Sequence, residues 1–307
     1  MTETAKYILK TLAYFDIFHY PLSSNELLQF HYVDTTQPLI DEALEYLLQN
    51  NIVFKIDTFY ALHNDTSLAV KRIKANKFAV EQMVIAHKAA RILSGFPYVK
   101  GLAISGSLSK NYGNDKTDVD FFIITTANRL WIARTIMHLY KKFTFLTGKS
   151  NWFCMNYYVD EAVPEIEEKN IFTSLEIITL LPMYGKTALD NFFLANQWAN
   201  NYFPVHCPVT DKAGTLNKGL LARLVEKLFN NNIGNAIDNR LMKITAGRWK
   251  KKVERNKKNK KGNPLGMIIN KHCSKPDPKN FQDKVVKAYN AKLETVLQPK
   301  TVMSRVD

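Results

Sequence analysis

Cysteine is scarce in this chain and poorly spaced for chemistry. Its three copies, Cys154, Cys207 and Cys273, are odd in number, far apart and in no Cys-x-x-Cys pair. That pattern excludes a disulfide framework and points to reduced thiols, hence to a cytoplasmic protein. The dipeptides His206-Cys207 and His272-Cys273 stand alone. Adjacent residues point in different directions and no other spaced ligands accompany them, so no zinc site is expected. Long apolar runs are also missing. No stretch has the length needed to cross a bilayer, and the first residues, with Glu3 among them, do not read as a secretory leader. The chain lacks a Gly-x-Ser-x-Gly elbow, the strongest cue for an α/β hydrolase. Gly148-Lys149-Ser150 has the tail of a phosphate-binding P-loop, but Phe143 stands where the first glycine belongs. The tripeptide is therefore expected to end a helix.

What is present suits a folded protein: 46% hydrophobic and 23% charged residues over 307 positions, enough for two or three domains with real cores. The net charge of +14 is concentrated. Ten Lys or Arg and one acid, Glu254, lie between Lys243 and Lys261, so that segment carries +9 and the rest of the chain only +5. A basic run of this kind invites a polyanion such as nucleic acid, an anionic membrane face or a phosphorylated substrate, against the plainer reading of a solvated helix end running into a loop at Gly262-Asn-Pro264.

Apolar spacing divides the chain into three parts. Residues 1–65 read as a winged-helix-like unit. A first helix carries Ile8, Leu9, Leu12 and Phe15, and Ser23 with Glu26 forms a capping box opening a second. A third follows Thr36 with Ile40, Ala43, Leu44, Leu47 and Leu48 at helical spacing, and two β-rich runs, 52–56 and 58–62, turn at Asp57-Thr58. The third helix bears Asp41, Glu42 and Glu45 and no Lys or Arg. Such a helix repels phosphate, so a packing or protein-interaction role is expected rather than DNA reading or transcriptional regulation. Residues 66–165 hold a long amphipathic helix over 67–93 and then a small sheet. Lys71, Arg72, Lys74 and Lys77 on that helix read as a solvated face. A helix over 129–146 and a strand over 152–159 follow, with Arg129 and Arg134 within possible reach of phosphate. Residues 166–307 read as a helical domain with helices over 172–181, 187–202, 216–252 and 280–296. Its aromatics Phe192, Phe193, Trp198, Tyr202 and Phe203 are expected to form a helical core. The fold class expected is α+β.

The densest chemical signal lies over 101–125. The apolar run from Leu102 to Ile104 ends in small residues, where backbone amides can approach a ligand. Ser107 is expected to start a short helix, whose free N–H groups and positive dipole end suit phosphate. Asn111, Gly113 and Asn114 turn the chain back into a strand beginning near Val119. Residues two apart in a strand face the same way, so Asp118 and Asp120 present both carboxylates on one side. Paired hard oxygen ligands beside a phosphate-binding turn are what Mg²⁺ needs.

This ordered set of strand, Gly106-Ser107, Lys110, Gly-containing turn and Asp118-Val119-Asp120 resembles the active-site signature of the DNA polymerase beta-like nucleotidyltransferase superfamily, of its minimal bacterial type. The resemblance covers about 99–159. It implies transfer of a nucleoside monophosphate from a nucleoside triphosphate, ATP being the one expected, to an acceptor hydroxyl, with Mg²⁺ (or Mn²⁺) as cofactor. It also implies that Asp118 and Asp120 are catalytic and hold the metal, that Gly106 and Ser107 cradle the β- and γ-phosphates, and that Lys110 assists. The superfamily's active members carry a third carboxylate on a neighbouring strand. Here Asn156 sits near that place, and an amide cannot take a proton at neutral pH. Asp160 shares its facing by strand parity but lies at the strand's end. The alternative is accordingly a nucleotidyltransferase-like protein without catalysis that binds a nucleotide, RNA or a protein partner.

Overall fold

The computed structural model describes residues 1–114, 118–144, 152–204, 208–259, 267–277 and 280–298. Along the chain run α1 (Glu3–Asp16), α2 (Ser24–Gln29), α3 (Gln37–Gln49), β1 (Phe54–Ile56), β2 (Phe59–Ala61), α4 (Ser67–Ser94), β3 (Val99–Ser105), β4 (Asp120–Thr125), α5 (Leu130–Thr144) and β5 (Cys154–Asp160). They are followed by α6 (Ile171–Ile178), β6 (Leu181–Tyr184), α7 (Lys186–Ala195), α8 (Leu220–Phe229), α9 (Asn232–Asn259), β7 (Ile268–Ile269), β8 (Cys273–Lys275) and α10 (Phe281–Leu297). The protein is thus mixed α+β with a largely helical C-terminal part. None of the described helices is long and apolar enough to cross a membrane.

The chain divides into two compact units. The first comprises Met1–Ile73, Asn201–His206 and Asp283–Asp307. In it α1 buries Ile8, Leu9, Leu12 and Phe15, and α3 buries Ile40, Ala43, Leu44 and Leu47. The capping box on α2 is formed on both sides: the Glu26 N–H donates to Ser23 Oγ at 3.3 Å, and the Ser23 N–H donates to Glu26 Oε2 at 2.9 Å. β1 and β2 pair antiparallel with Ile56 opposite Phe59, turning through Asp57 at φ 57°. Arg72 departs from the solvated face expected of it. It is 3% exposed, donates to the Pro21 carbonyl at 2.7 Å and to Glu26 Oε1 at 2.6 Å, and its guanidinium lies 3.7 Å from the centre of the Tyr20 ring. A planar cation that stacks and forks in this way is a packing element.

The second unit comprises Lys74–Asn200 and Cys207–Gln282 and is built on a six-stranded sheet of order β6-β3-β4-β5-β8-β7. Only β4 and β5 run parallel; all other neighbours are antiparallel. Strand alternation assigns its two faces. Leu102, Ile104, Phe121 and Ile123 join one apolar core with Ala86, Ala89, Ala90 and Leu93 of α4 and with Trp131 and Met137 of α5. On the opposite face Phe122 packs on Phe192 of α7, ring centres 4.6 Å apart.

Several expected helices come out shorter or divided. The span 216–252 is two helices, α8 and α9, and the run expected to continue helically to 181 leaves its helix at Ile178 to form β6. β6, β7 and β8 are short sheet additions with no clear alternation, so periodicity could not find them. The expected aromatic core is also shared out: Phe192 and Phe193 pack together in the second unit, while Phe203 meets Phe30 and Tyr32 in the first.

Candidate active site

At the end of β3 the chain turns through Gly106 into a single 3-10 turn, Leu108–Lys110. Gly106 has φ +69°, and a Cβ there would stand 2.4 Å from Asp120 Oδ2. Glycine is required twice over, for the left-handed backbone and for the carboxylate resting against it. Asn111, at φ 54°, closes the turn. Helix α4 then anchors the chain at two points: the Gly113 N–H donates to the Ala75 carbonyl at 3.2 Å, and Gln82 Nε2 donates to the Asn114 carbonyl at 2.8 Å. Residues 115–117 lie outside the described residues, as do Gly148, Lys149, Ser150 and Cys207. Asp120 opens β4 opposite Ser105, and Asp118 precedes it with the buried Val119 between them.

The neighbouring strand β5 is irregular at the place that matters. Phe121 of β4 pairs with Met155 and Phe122 with Tyr157, leaving Asn156 as an extra residue. This is a β-bulge, which breaks alternation and re-aims a side chain. Met155 and Tyr158 consequently both enter the core, while Asn156 and Tyr157 both line a cavity. Asn156 Nδ2 donates to Asp120 Oδ1 at 2.5 Å.

The same bulge cancels the parity between Asn156 and Asp160. Asp160 pairs with Thr125 at the other end of the parallel strands and is fully buried. It accepts from the backbone N–H groups of Asn128 (3.0 Å), Ala162 (3.1 Å) and Val163 (3.3 Å), and lies 2.8 Å from His272 Nδ1. Asp160 is a structural anchor and does not stand in for a carboxylate beside Asp120.

The cavity measures about 290 Å³. Ser105, Gly106, Asp120 and Asn156 form part of its wall, and Phe122, Phe172, Phe192 and Phe281 supply much of the rest. Ser107, Lys110 and Asp118 are not among its described lining residues. Glu176 is, on α6, and its Oε1 accepts from Lys110 Nζ at 2.8 Å. Lys110 also donates to the Gly106 carbonyl at 3.0 Å, so it braces the turn. No sequence motif marks Glu176. The available signal was a lone acid in the otherwise apolar run Leu175-Glu-Ile-Ile178, where an unpaired charge is costly.

Burial pushes the Asp120 carboxyl up to about 6. The Cys154 thiol beside it opposes this, the charges of Glu176 and Asp118 add to it, and Lys110 counters weakly. Cys154 is itself pushed up to about 12 by burial, as is Cys273, so both thiols stay protonated and inert at neutral pH. Beside Gly106, then, Asp120 has the Asp118 and Glu176 carboxylates and the Lys110 ammonium close by, and Lys275 and Asp277 line the same cavity. Among the described residues no group of three or more His, Cys, Asp or Glu is arranged to hold a metal. The donor set still fits Mg²⁺, because that ion is ordinarily held by one or two carboxylates and completed by phosphate oxygens and water. A buried carboxylate with like charges nearby is also what a cation would relieve.

Two other candidates are taken up by packing. Arg129 is 3% exposed and donates to Asn128 and Asn231 carbonyls and to Asn235 Oδ1. Arg134 lies over Trp131 and Trp249, 5.5 and 5.1 Å from their ring centres. The basic run lies on α9 as far as Asn259; Lys260, Lys261 and Gly262-Asn-Pro264 are outside the described residues. Comparison with protein-family models, with curated proteins and with solved structures found no match for this chain.

Proposed function

We propose that this chain is a Mg²⁺-dependent nucleotidyltransferase that moves a nucleoside monophosphate from a nucleoside triphosphate, ATP being the one expected, to an acceptor hydroxyl, releasing pyrophosphate. The observation that carries the reading is the Asp120 carboxylate lodged against Gly106 at a cavity wall, with Asp118 close enough to raise its pKa. The antiparallel β3–β4 pair and the parallel β5 support a nucleotidyltransferase core over 66–165, and the three helices and hairpin of the first unit support a winged-helix-like module.

In this reading Asp118 and Asp120 hold Mg²⁺, which supplies charge neutralisation to the triphosphate when bound. Gly106 and Ser107 offer backbone N–H groups to phosphate, and Lys110 keeps the turn in shape through the Gly106 carbonyl. Asn156 fixes the orientation of Asp120 and cannot accept a proton. Glu176 takes the proton of the acceptor hydroxyl, a role that β5 leaves unfilled. Phe122, Phe172, Phe192 and Phe281 give the cavity an apolar wall beside the reacting groups.

A second reading is favoured by Asn156 itself, and by Lys110 being engaged with Glu176: a protein of the same architecture that binds a nucleotide, RNA or a partner without turnover. Titration of each nucleoside triphosphate with Mg²⁺ into wild type and into Asp118→Asn/Asp120→Asn tests both. Metal-dependent binding that the double substitution abolishes supports the site, and transfer of labelled nucleotide to an acceptor then separates catalysis from binding. Metal-independent binding, or none, overturns the assignment.

A further inference from the structure

Helix α8 turns one face inward and leaves an unusual one outward. Ala222, Val225 and Phe229 face the second unit, where Val225 and Phe229 pack beside Tyr98, Ile132 and Ala133. Glu226, on the same side, accepts the Tyr98 N–H at 2.6 Å and pairs with Lys218. At 100° per residue the rest of the helix forms the opposite face: Leu220, Leu224, Leu228 and Leu221 in a stripe, with Arg223 and Lys227 along one edge. The four leucines are 84%, 52%, 55% and 80% exposed. Scattered exposed leucines mean nothing, but four on one helix face, flanked by cations and free of acids, are a surface that expects an occupant.

The charge pattern selects that occupant. A second copy meeting this face would set Arg223 and Lys227 against the same cations. Nucleic acid phosphates would satisfy the cations and leave the leucine stripe in water. An anionic bilayer accommodates both, taking the leucines into the acyl boundary and the cations at the headgroup level. The next helix adds more positive charge, with Arg240, Lys243, Arg248, Lys250 and Lys251 all exposed on α9 against one exposed acid, Glu254, while Asp238 is 2% exposed. We infer that α8 is an interfacial helix by which the protein docks on anionic lipid surfaces. Lipid docking by α8 does not depend on the nucleotidyltransferase reading.

Co-sedimentation of the full chain with vesicles of phosphatidylcholine alone, and with one third phosphatidylglycerol, tests it. Binding is expected to the anionic vesicles, weakening as salt rises. Leu221→Ser/Leu224→Ser should reduce it by about a hundred-fold or more, since burying each leucine contributes roughly 1.5–3 kcal/mol. Arg223→Gln/Lys227→Gln should reduce it about five-fold for each cation removed. Because all four side chains face outward, thermal unfolding should be unchanged in both variants, so lost binding cannot be lost folding. No vesicle binding by wild type, or equal binding by the leucine variant, overturns the inference. Concentration-dependent self-association abolished by the leucine substitutions, without vesicle binding, would overturn it in favour of a homotypic interface.

Discussion

The two ends of the β4–β5 pair offer the same chemical group in opposite circumstances. At one end Asp160 is enclosed and met by three backbone N–H donors and His272. At the other, Asp120 is mostly buried, with Asn156 donating to one oxygen, two further carboxylates nearby and a cavity beside it. Fold stability requires the first arrangement and gains nothing from the second, because burying a charge without compensation is costly. A chain that keeps the second arrangement retains an electron-rich group where an electropositive ligand can arrive. The contrast separates a carboxylate used for folding from one suited to binding, and burial alone does not make that distinction.

The largest test of this contrast is a pair of substitutions measured by chemical unfolding. Asp160→Ala strands buried N–H donors and should cost about 3–5 kcal/mol, roughly a 10 °C fall in melting temperature. Asp120→Asn keeps an acceptor for Asn156 and removes a buried charge, so at pH 8 it should be neutral or stabilising by about 2 kcal/mol. Equal losses in the two variants would break the comparison. Next in size is Gly106→Ala. It forces a Cβ into left-handed backbone and against Asp120 Oδ2, an expected cost of about 1–2 kcal/mol. In an Asp120→Ala background the 2.4 Å clash with Oδ2 is gone and only the 3.2 Å approach to Cβ remains, so the steric share should shrink and the two substitutions should be non-additive in a double-mutant cycle.

The reasons some of this was legible in sequence, and some not, are physical. The capping box at Ser23 and Glu26 and the buried spacing of α3 are local, set by residues within one or two turns, and they appear where sequence places them. Gly106 and Asp120 come together because a strand ending in small residues must meet its partner strand's first residue, which a short-range pattern encodes. The bulge at Asn156 is different. It depends on how β5 registers against β4, so strand parity extended to Asp160 points it to the wrong face. Glu176 reaches the cavity from a helix some fifty residues beyond the signature in sequence, a long-range approach that no spacing rule reports. Arg72 reads as a solvated cation and Arg129 as one within reach of phosphate because the Pro21 carbonyl, Glu26 and the Tyr20 ring that hold the first, and the Asn231 carbonyl and Asn235 that hold the second, are distant in sequence.

A raised carboxyl is not by itself a mark of function, and Asp238 provides the control. It is 2% exposed, accepts the Ile132 N–H at 2.8 Å, and burial pushes it up to about 6, yet it lines none of the described cavities. Its folded pKa lies above the unfolded value near 4, so its contribution is greatest with the proton bound in both states and declines as pH rises from about 4 to about 6. Asp238→Asn should flatten that part of the stability profile by roughly 1–2 kcal/mol while leaving nucleotide binding unchanged. A profile that stays as steep as wild type would show that Asp238 is not the group responsible.

The smallest expected stability effect sharpens the functional side most. The Lys110–Glu176 pair is partly exposed, with Glu176 29% accessible, so Glu176→Gln should change stability by less than about 1 kcal/mol. If Glu176 receives the acceptor's proton, the same substitution should slow nucleotide transfer by about 10²–10⁴-fold with metal-dependent nucleotide affinity little altered. Because Gln keeps an acceptor oxygen for Lys110, a purely structural role would leave both rate and affinity near wild type. A loss confined to transfer therefore identifies a proton acceptor delivered by α6, while loss of affinity with the rate preserved would make Glu176 a positioning residue acting through Lys110 and the Gly106 turn.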